Sequence, residues 1–295
     1  MPKFNSQIIN GRFLADKIFH EIRQEIVKKK LTPSLAVILV GDSKASKVYV
    51  KLKQKACLKC GIEFYLYELP KDALEKQVLE CLDFLNQDKE INGIIVQLPL
   101  PKHLDEDKII KALDPRKDAD GFHPENIKLL KNGRPYIIPG LCEGIIKLIR
   151  ATREDISDKN VLIVSNSQIF AEPFNHLFVK GRRVKTCEWV SPQDKNFSEK
   201  TKEADVIIIA IGKPKFLKAN MIKKEVIIID VGCNFIKNIG SRLKRAVWGD
   251  VDFTSCGKKA KWISPVPGGV GPVTVAMLLA NTVKLYKQQH KIISS

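Results

Sequence analysis

Tyr49 and Lys53 are the first residues whose types and spacing could serve chemistry. They lie four positions apart in a segment of helical character, so they share one face of the helix. An aromatic ring beside an ammonium group could hold a flat heterocycle next to a proton donor. The same spacing is typical of an amphipathic helix whose lysine extends toward solvent, and spacing alone leaves both interpretations open.

Three further segments place polar or permissive residues beside apolar elements. Gln97 lies in the apolar run Ile94–Leu98 and is expected at the edge of a sheet where α/β proteins bind ligands. The loop 114–124 carries three aspartates together with turn-forming proline and glycine. Glycines within 265–272 would let the backbone approach a ligand closely, although a tight turn before a helix would use them equally well.

Apolar periodicity predicts the elements that must position these residues. In the first part of the chain it predicts helices at 12–30, 44–60 and 72–86 and strands at 35–40, 64–69 and 94–98. After Gly140 it predicts helices at 143–151, 171–180 and 273–288 and strands at 161–164, 184–190, 205–210 and 226–231. Such alternation predicts an α/β fold with parallel sheets. We expect two domains: 1–140 completed by 273–295, and a Rossmann-like dinucleotide-binding domain over 141–272.

Composition narrows the class of protein. The chain has 295 residues, 44% of them hydrophobic, which is enough for two apolar cores. Its apolar runs are far shorter than the roughly 20 residues of a bilayer-spanning helix, and its start does not resemble a signal peptide, so we expect a cytoplasmic protein. The formal charge of +17 favours anionic ligands, but the lysines are dispersed, and we expect neither nucleic acid nor a membrane as partner.

The seven cysteines are scattered and odd in number, which is typical of a reducing compartment. Cys57 and Cys60 form a lone Cys-x-x-Cys inside a lysine-rich helical stretch, without the second pair or the histidines of a zinc site. We expect both to be ordinary helix residues, and we expect no metal site.

Four motifs carry a family resemblance. They are Ala-Ser-x-x-Tyr-Val at 45–50, Val-Gln-Leu-Pro-Leu-Pro at 96–101, Asp-Gly-Phe-His-Pro at 120–124 and Pro-Val-Pro-Gly-Gly-Val-Gly-Pro-x-Thr-Val at 265–275. In this order, from about Asn10 to about Thr282, the sequence resembles the bifunctional methylenetetrahydrofolate dehydrogenase/methenyltetrahydrofolate cyclohydrolase family. The resemblance implies two reactions: oxidation of 5,10-methylenetetrahydrofolate to the methenyl form with NADP, then hydrolysis to 10-formyltetrahydrofolate.

The resemblance also implies residue roles. Lys53 becomes the central catalytic group, Gln97 tunes it, Tyr49 stacks on the folate ring system and Asp120 holds the pterin. Four further residues would line the folate site: Pro267, Gly268, Gly269 and Val270. Folate would lie in a cleft between the two domains, and members of the family are commonly homodimers.

The cofactor loop departs from the family pattern. The residues expected to bind the cofactor are Ser165, Asn166, Ser167, Pro173, Gly212 and Cys233. Where the family has Gly-Arg-Ser-x-x-Val-Gly-x-Pro, the segment 165–173 keeps only the third and last positions, and Asn166 cannot make an arginine's charged, bidentate phosphate contact. Further along, Glu188-Trp189 stands where the family has His-Ser. This predicts that NADP-dependent oxidation is weakened, shifted toward NAD, or absent.

Three alternatives to the bifunctional enzyme stay open at this point. The first is a cyclohydrolase with little dehydrogenase activity, which the altered loop favours. The second is a folate-binding or protein-interaction module without catalysis, since fold does not imply function. The third, a basic nucleic-acid-binding protein, has the least support in the sequence.

Overall fold

The computed structural model describes residues 6–180, 183–236 and 246–292. The helices are α1 (Gly11–Lys29), α2 (Lys44–Cys60), α3 (Glu75–Gln87), α4 (Glu106–Ala112), α5 (Pro124–Lys131), α6 (Gly140–Ala151), α7 (Gln168–Asn175), α8 (Phe197–Glu203), α9 (Phe253–Cys256) and α10 (Val270–Gln289). The strands are β1 (Gln7–Ile8), β2 (Ser34–Val40), β3 (Glu63–Leu69), β4 (Gly93–Val96), β5 (Asn160–Ser165), β6 (Thr186–Val190), β7 (Val206–Ala210), β8 (Ile227–Asp230), β9 (Asn234–Ile236), β10 (Ala246–Trp248) and β11 (Trp262–Ile263). A π-helical turn at His176–Lys180 follows α7, and a 3₁₀ turn lies at Ala219–Met221.

The described residues form two compact units. The three-stranded unit comprises Ala15–Glu143 and Thr274–Ser295, and the six-stranded unit comprises Met1–Leu14 and Gly144–Val273. This division differs from the domain prediction at the N-terminus. The short strand β1 pairs in parallel with β11 and so joins the first residues to the six-stranded unit. Two-residue strands carry no periodicity, so the sequence gives no sign of this pairing.

The core of the three-stranded unit surrounds β2. The strand order is β3-β2-β4, and both pairings are parallel. Every residue of β2 is buried, as the continuous apolar run predicts for a central parallel strand. The α3 helix covers the sheet with side chains spaced three and four apart, Val78, Leu82 and Leu85, all fully buried. The carboxyl ends of β2 and β4 therefore lie side by side at one edge.

The six-stranded unit is built on a sheet of order β1-β11-β8-β7-β5-β6 with parallel pairing throughout. Its central strands β7 and β8 are apolar and almost entirely buried, and β6 lies at the edge. The antiparallel pair β9 and β10 follows β8 as a separate two-stranded sheet. Since neighbouring strands run in the same direction, β5, β7 and β8 end at a common edge, at Ser165, Ala210 and Asp230.

Over residues 6–180, 183–236 and 246–292, no helix has both the length and the apolar character that crossing a membrane requires. No cluster of three or more His, Cys, Asp or Glu residues in this part of the chain is placed to hold a metal ion. Cys57 and Cys60 lie on α2 and are buried, and burial raises the pKa of their thiols to about 12 and about 11. Such thiols are unreactive near neutral pH.

Candidate active site and dinucleotide edge

The α2 helix positions Tyr49 and Lys53. Ser43 caps its start, with its side-chain oxygen accepting a hydrogen bond from the backbone N–H of Ser46, and Gly61 ends it in a left-handed conformation with φ of 82°. Tyr49 and Lys53 are one turn apart on the same face, and both are half-buried. The snorkelling interpretation of Lys53 is wrong, because its ammonium group turns toward the protein and contacts Gln97.

Gln97 follows β4 directly and continues its pairing with β2, since its backbone N–H donates to the carbonyl of Ile38 over 2.9 Å. Its side-chain Oε1 accepts a hydrogen bond from Lys53 Nζ at 3.0 Å. Its Nε2 donates to the carbonyl of Leu98 at 2.7 Å, and the Leu98–Pro99 peptide is cis. The second contact fixes which end of the amide faces the lysine, so Gln97 presents an acceptor to Lys53.

Asp120 reaches the same region because its segment runs beside β4. The backbone N–H of Ala119 donates to the carbonyl of Ile94 over 3.2 Å. Gly121 then turns the chain with φ of 82°, and a Cβ atom there would lie 2.9 Å from the backbone of Pro139. Only glycine fits this turn, which holds Asp120 beyond the carboxyl end of β4.

The other aspartates of the loop have structural roles. Asp118 is buried and accepts hydrogen bonds from the backbone N–H groups of Gly121 and His123 and from the side-chain amide of Asn126. Asp114 forms an ion pair with the arginine two positions later. Asp118 is the residue that sequence reasoning missed. Its spacing of three and five residues from its backbone donors is the pattern of a carboxylate that closes a loop.

Lys53 and Asp120 form an electrostatically coupled pair. Burial lowers the pKa of Lys53, and the negative charge of Asp120 opposes this shift. Burial likewise raises the pKa of Asp120, and the positive charge of Lys53 opposes that shift. Loss of solvent therefore favours the neutral form of each group, and the charge of the other group favours the ionised form. A lysine whose pKa is lowered is neutral more often than an exposed lysine, which suits an amine that must accept and return a proton.

The glycine-rich segment lies in the six-stranded unit and packs against the start of α1. A Cβ atom on Gly11 would lie 1.8 Å from the carbonyl oxygen of Gly269, and the backbone N–H of Arg12 donates to the carbonyl of Gly268 over 3.2 Å. Gly268 has φ of 113°, which favours glycine. The glycines therefore allow the backbone of this segment to lie close to the backbone at the start of α1. In the same segment Pro267, preceded by a cis peptide, is exposed, whereas Val270 is buried at the start of α10.

The altered loop after β5 is closed by its own hydrogen bonds. Ser165 Oγ donates to the carbonyl of Ser167 at 2.7 Å and accepts from Trp189 Nε1 at 3.0 Å. Asn166 donates its amide to the carbonyl of Ile211 at 3.0 Å. Ser167 caps α7 by accepting from the N–H of Ile169 at 3.2 Å, and Pro173 is buried within that helix. The loop thus keeps the strand–turn–helix shape of a dinucleotide-binding unit without its glycines.

Two buried aspartates organise the neighbouring strand ends, and sequence reasoning did not single them out. Asp250 accepts hydrogen bonds from the backbone N–H groups of Ile211 and Gly212, at 2.7 and 3.0 Å, and from Asn234 Nδ2 at 2.9 Å. Gly212, with φ of 68°, has open space where a Cβ atom would lie, and Cys233 is exposed on the next loop. Asp250 therefore fixes the backbone of the loop after β7.

Asp230 forms the second half of this network. It accepts from the backbone N–H groups of Gly232, Asp250 and Val251 at 2.9 to 3.0 Å. These donors favour the ionised carboxylate, but burial outweighs them and raises the pKa of Asp230 to about 7. An acidic residue that ends an apolar strand, as at Ile227–Asp230, is the sequence signal that could have marked it.

A pocket of about 500 Å³ opens between α7 and β6, within the size range of about 300 to 1,000 Å³ that small-molecule sites occupy. Ile169 and Glu172 line it on the helix side, and Glu188 and Trp189 line it on the strand side. It therefore lies beside the first helix and second strand of the parallel unit, where a dinucleotide places its adenosine half. The position and volume of the pocket fit such a group.

Comparison with known proteins adds family information to this geometry. Residues 9–120 match the catalytic domain model, and residues 139–290 the NAD(P)-binding domain model, of tetrahydrofolate dehydrogenase/cyclohydrolase. The chain is 41% identical to a bifunctional protein FolD of Acetivibrio thermocellus, over 97% of this chain and 99% of that protein.

Solved structures agree with this match. A crystal structure of the bifunctional enzyme FolD from Campylobacter jejuni has a TM-score of 0.87 at 38% identity, covering 96% of this chain and 99% of that one. The Trypanosoma brucei FolD crystal structure, complexed with NADP and an inhibitor, has a TM-score of 0.91 at 31% identity, covering 99% of this chain and all of that one.

The comparisons do not support the prediction that the altered loop removes cofactor binding, because the NAD(P)-binding domain model spans the loop and its flanking elements. They also favour neither the cyclohydrolase without dehydrogenase nor a module without catalysis, since the full-length relatives are bifunctional proteins. On both of its domain models and on relatives that cover nearly the whole sequence, the chain belongs to the tetrahydrofolate dehydrogenase/cyclohydrolase family.

Proposed function

We propose that this protein oxidises 5,10-methylenetetrahydrofolate to 5,10-methenyltetrahydrofolate with a nicotinamide dinucleotide and then hydrolyses the product to 10-formyltetrahydrofolate. Folate chemistry is assigned to the three-stranded unit and dinucleotide binding to the six-stranded unit. The observation that carries the proposal is the 3.0 Å contact of Lys53 Nζ with Gln97 Oε1, in a helix face shared with Tyr49 and in the field of Asp120.

Lys53 serves the hydrolytic step as a proton carrier. Water attacks the methenyl carbon, and the neutral amine of Lys53 accepts the proton that the water loses. The ammonium group then returns a proton to the ring nitrogen as the bond of that nitrogen to the carbon breaks, and the hydroxyl group on the carbon releases its proton to solvent and becomes the formyl C=O. Burial lowers the pKa of Lys53, which makes the neutral amine more abundant than it is in an exposed lysine. Gln97 holds the amine in place through its acceptor oxygen.

Tyr49 and Asp120 bind the substrate in this proposal. The half-buried ring of Tyr49 lies one turn before Lys53 and can stack on the folate ring system. Asp120 accepts hydrogen bonds from the donor groups of the pterin, and its negative charge opposes the lowering of the pKa of Lys53. The segment formed by Pro267, Gly268, Gly269 and Val270 is assigned to the folate site through the family resemblance.

The six-stranded unit holds the cofactor. When bound, the nicotinamide supplies the hydride acceptor for the methylene carbon. The residues assigned to cofactor binding are Ser165, Asn166, Ser167, Pro173, Gly212 and Cys233. Asp230 and Asp250 act behind two of them, because Asp250 holds the backbone N–H of Gly212 and Asp230 holds that of Gly232, next to Cys233.

A second copy of the chain is the protein partner that the family resemblance implies. Light scattering coupled to size-exclusion chromatography should therefore give twice the mass of the chain at micromolar concentration. The mass of one chain across the same range would contradict the homodimer.

The test of the catalytic assignment is Lys53→Met, which keeps the length of the side chain and removes the amine. We expect the rate of methenyltetrahydrofolate hydrolysis to fall by about 100-fold or more, since positioned acid–base groups contribute on the order of 10² to 10⁴. Lys55→Met is the matched control, because Lys55 is an exposed lysine on the same helix. Hydrolysis by the Lys53 variant at the unmodified rate would contradict the proposal.

A further inference from the structure

The pocket between α7 and β6 has acidic residues in its lining. Glu172 faces it from the helix and Glu188 from the strand, and Glu188 is exposed. Among the described residues that line the pocket, none is a lysine or an arginine. Burial and the neighbouring carboxylate of Glu188 raise the pKa of the Cys187 thiol to about 12.

Two neutral polar groups near the end of β5 are already engaged. Asn166 donates its side-chain amide to a backbone carbonyl, and the indole N–H of Trp189 donates to Ser165. Neither can supply the charge-assisted, bidentate contact that binds a phosphate strongly. Trp189 instead offers the pocket an apolar wall next to the end of β5.

This arrangement distinguishes the two nicotinamide dinucleotides, which differ only at the 2′ position of the adenosine ribose. A carboxylate on the second strand of a dinucleotide-binding unit accepts a hydrogen bond from the 2′-hydroxyl of NAD, whereas NADP needs a cation at that place. The carboxylate of Glu188 would repel a 2′-phosphate beside it, because like charges next to each other oppose binding.

We propose that the pocket selects NAD over NADP and that Glu188 is the residue that sets this specificity. The inference rests on the proposed dehydrogenase function, because it assigns the adenosine ribose of the cofactor to this pocket. It does not depend on the folate site, so binding of the adenosine half can be tested without turnover.

The experiment is isothermal titration of the full-length protein with four probes: NAD, NADP, adenosine 5′-monophosphate and adenosine 2′,5′-bisphosphate. We expect each 2′-phosphorylated probe to bind at least about tenfold more weakly than its 2′-hydroxyl counterpart. Glu188→Gln should reduce that ratio severalfold, and Glu188→Arg should reverse it. Glu199→Gln, an exposed glutamate on α8 outside the pocket, is the charge-matched control and should leave the ratio unchanged.

The outcomes separate this inference from the proposed function. If NADP binds as tightly as NAD or more tightly, or if the Glu188 variants keep the unmodified ratio, the inference is overturned and the dehydrogenase assignment stands. If none of the four probes binds while methenyltetrahydrofolate is still hydrolysed, the dinucleotide assignment itself fails and the inference fails with it. Salt titration provides a second readout, because screening should reduce the difference in NADP affinity between the unmodified protein and Glu188→Gln.

Discussion

Two regions use buried polar groups in opposite ways. One is the Lys53 site, and the other is the dinucleotide edge, which comprises the strand ends at Ser165, Ala210 and Asp230 and the loops that follow them. In the Lys53 site the side chains face one another, since the amine contacts Gln97 and senses the charge of Asp120. At the dinucleotide edge the buried carboxylates of Asp230 and Asp250 accept mainly from backbone N–H groups. The first arrangement tunes the protonation of one amine, and the second fixes the path of the chain. Substitutions should therefore change the chemistry of the first region and the stability of the second.

The largest effect expected from this comparison is on stability, in the variant Asp250→Ala. It leaves three donors without an acceptor, two of them backbone N–H groups. We expect the free energy of unfolding to fall by about 2 to 4 kcal/mol, measured by urea denaturation, because a buried unsatisfied donor costs about 1 to 3 kcal/mol. Asp250→Asn keeps one acceptor oxygen and should lose less. If the free energy of unfolding of Asp250→Ala changes by less than about 0.5 kcal/mol, the expectation that substitutions at the dinucleotide edge lower stability is contradicted.

A smaller effect should appear as pH-dependent stability at Asp230. Its pKa is about 7 in the folded protein against 3.8 for an ordinary aspartate, so the folded state keeps a proton that the unfolded chain has lost. Its contribution to the free energy of unfolding is fully present below pH 3.8 and is lost as the pH rises through 7. Asp230→Asn cannot titrate and should lack this dependence.

The measurement is denaturant unfolding of both proteins at a series of pH values. The free energy of unfolding of the unmodified protein, minus that of Asp230→Asn, should decrease as the pH rises from 3.8 to 7. A difference that stays constant over this interval would mean that the backbone donors keep the carboxylate ionised and that burial does not dominate.

The smallest effect on stability, and a clear effect on chemistry, is expected for Gln97→Glu. A carboxylate in contact with Lys53 raises the pKa of the amine, so less neutral amine is present at neutral pH. The pH profile of methenyltetrahydrofolate hydrolysis should therefore move to higher pH, while the free energy of unfolding stays within about 1 kcal/mol. Gln54→Glu places the same charge on the exposed neighbour of Lys53 and should move the profile far less. Equal shifts in both variants would show that the direct contact has no special role.

Much of the fold follows from periodicity. The continuous apolar runs predict the buried strands β2, β5, β7 and β8 within one or two residues of their observed bounds. The alternation of strand and helix predicts the parallel pairing that the structure has in both units. The sequence did not predict the short helices α4, α5, α8 and α9 or the short strands β1, β9, β10 and β11, because two to eight residues hold too few apolar positions to establish a period.

The candidate sites were predictable to different degrees. Motif order singled out Lys53, Gln97 and Asp120, but it could not show that the amine meets the glutamine, since 44 residues separate them. The roles of Asp118, Asp230 and Asp250 were not predicted, because their partners are mainly backbone groups, which the four motifs do not encode. The approach of the glycine-rich segment to a ligand stays a prediction, and the structure shows in addition that its backbone lies close to the start of α1.

By itself, the sequence determined which segments are apolar, how they alternate and which motifs the chain carries, because these properties depend on residue type and local spacing. It also determined the charge of the residues available to each site. Only the tertiary structure decided which polar groups lose solvent together, and therefore which of them shift in pKa. Desolvation is a property of the packed neighbourhood, so the lowered pKa of Lys53 and the raised pKa of Asp230 exist only once strand ends from distant parts of the chain are brought together.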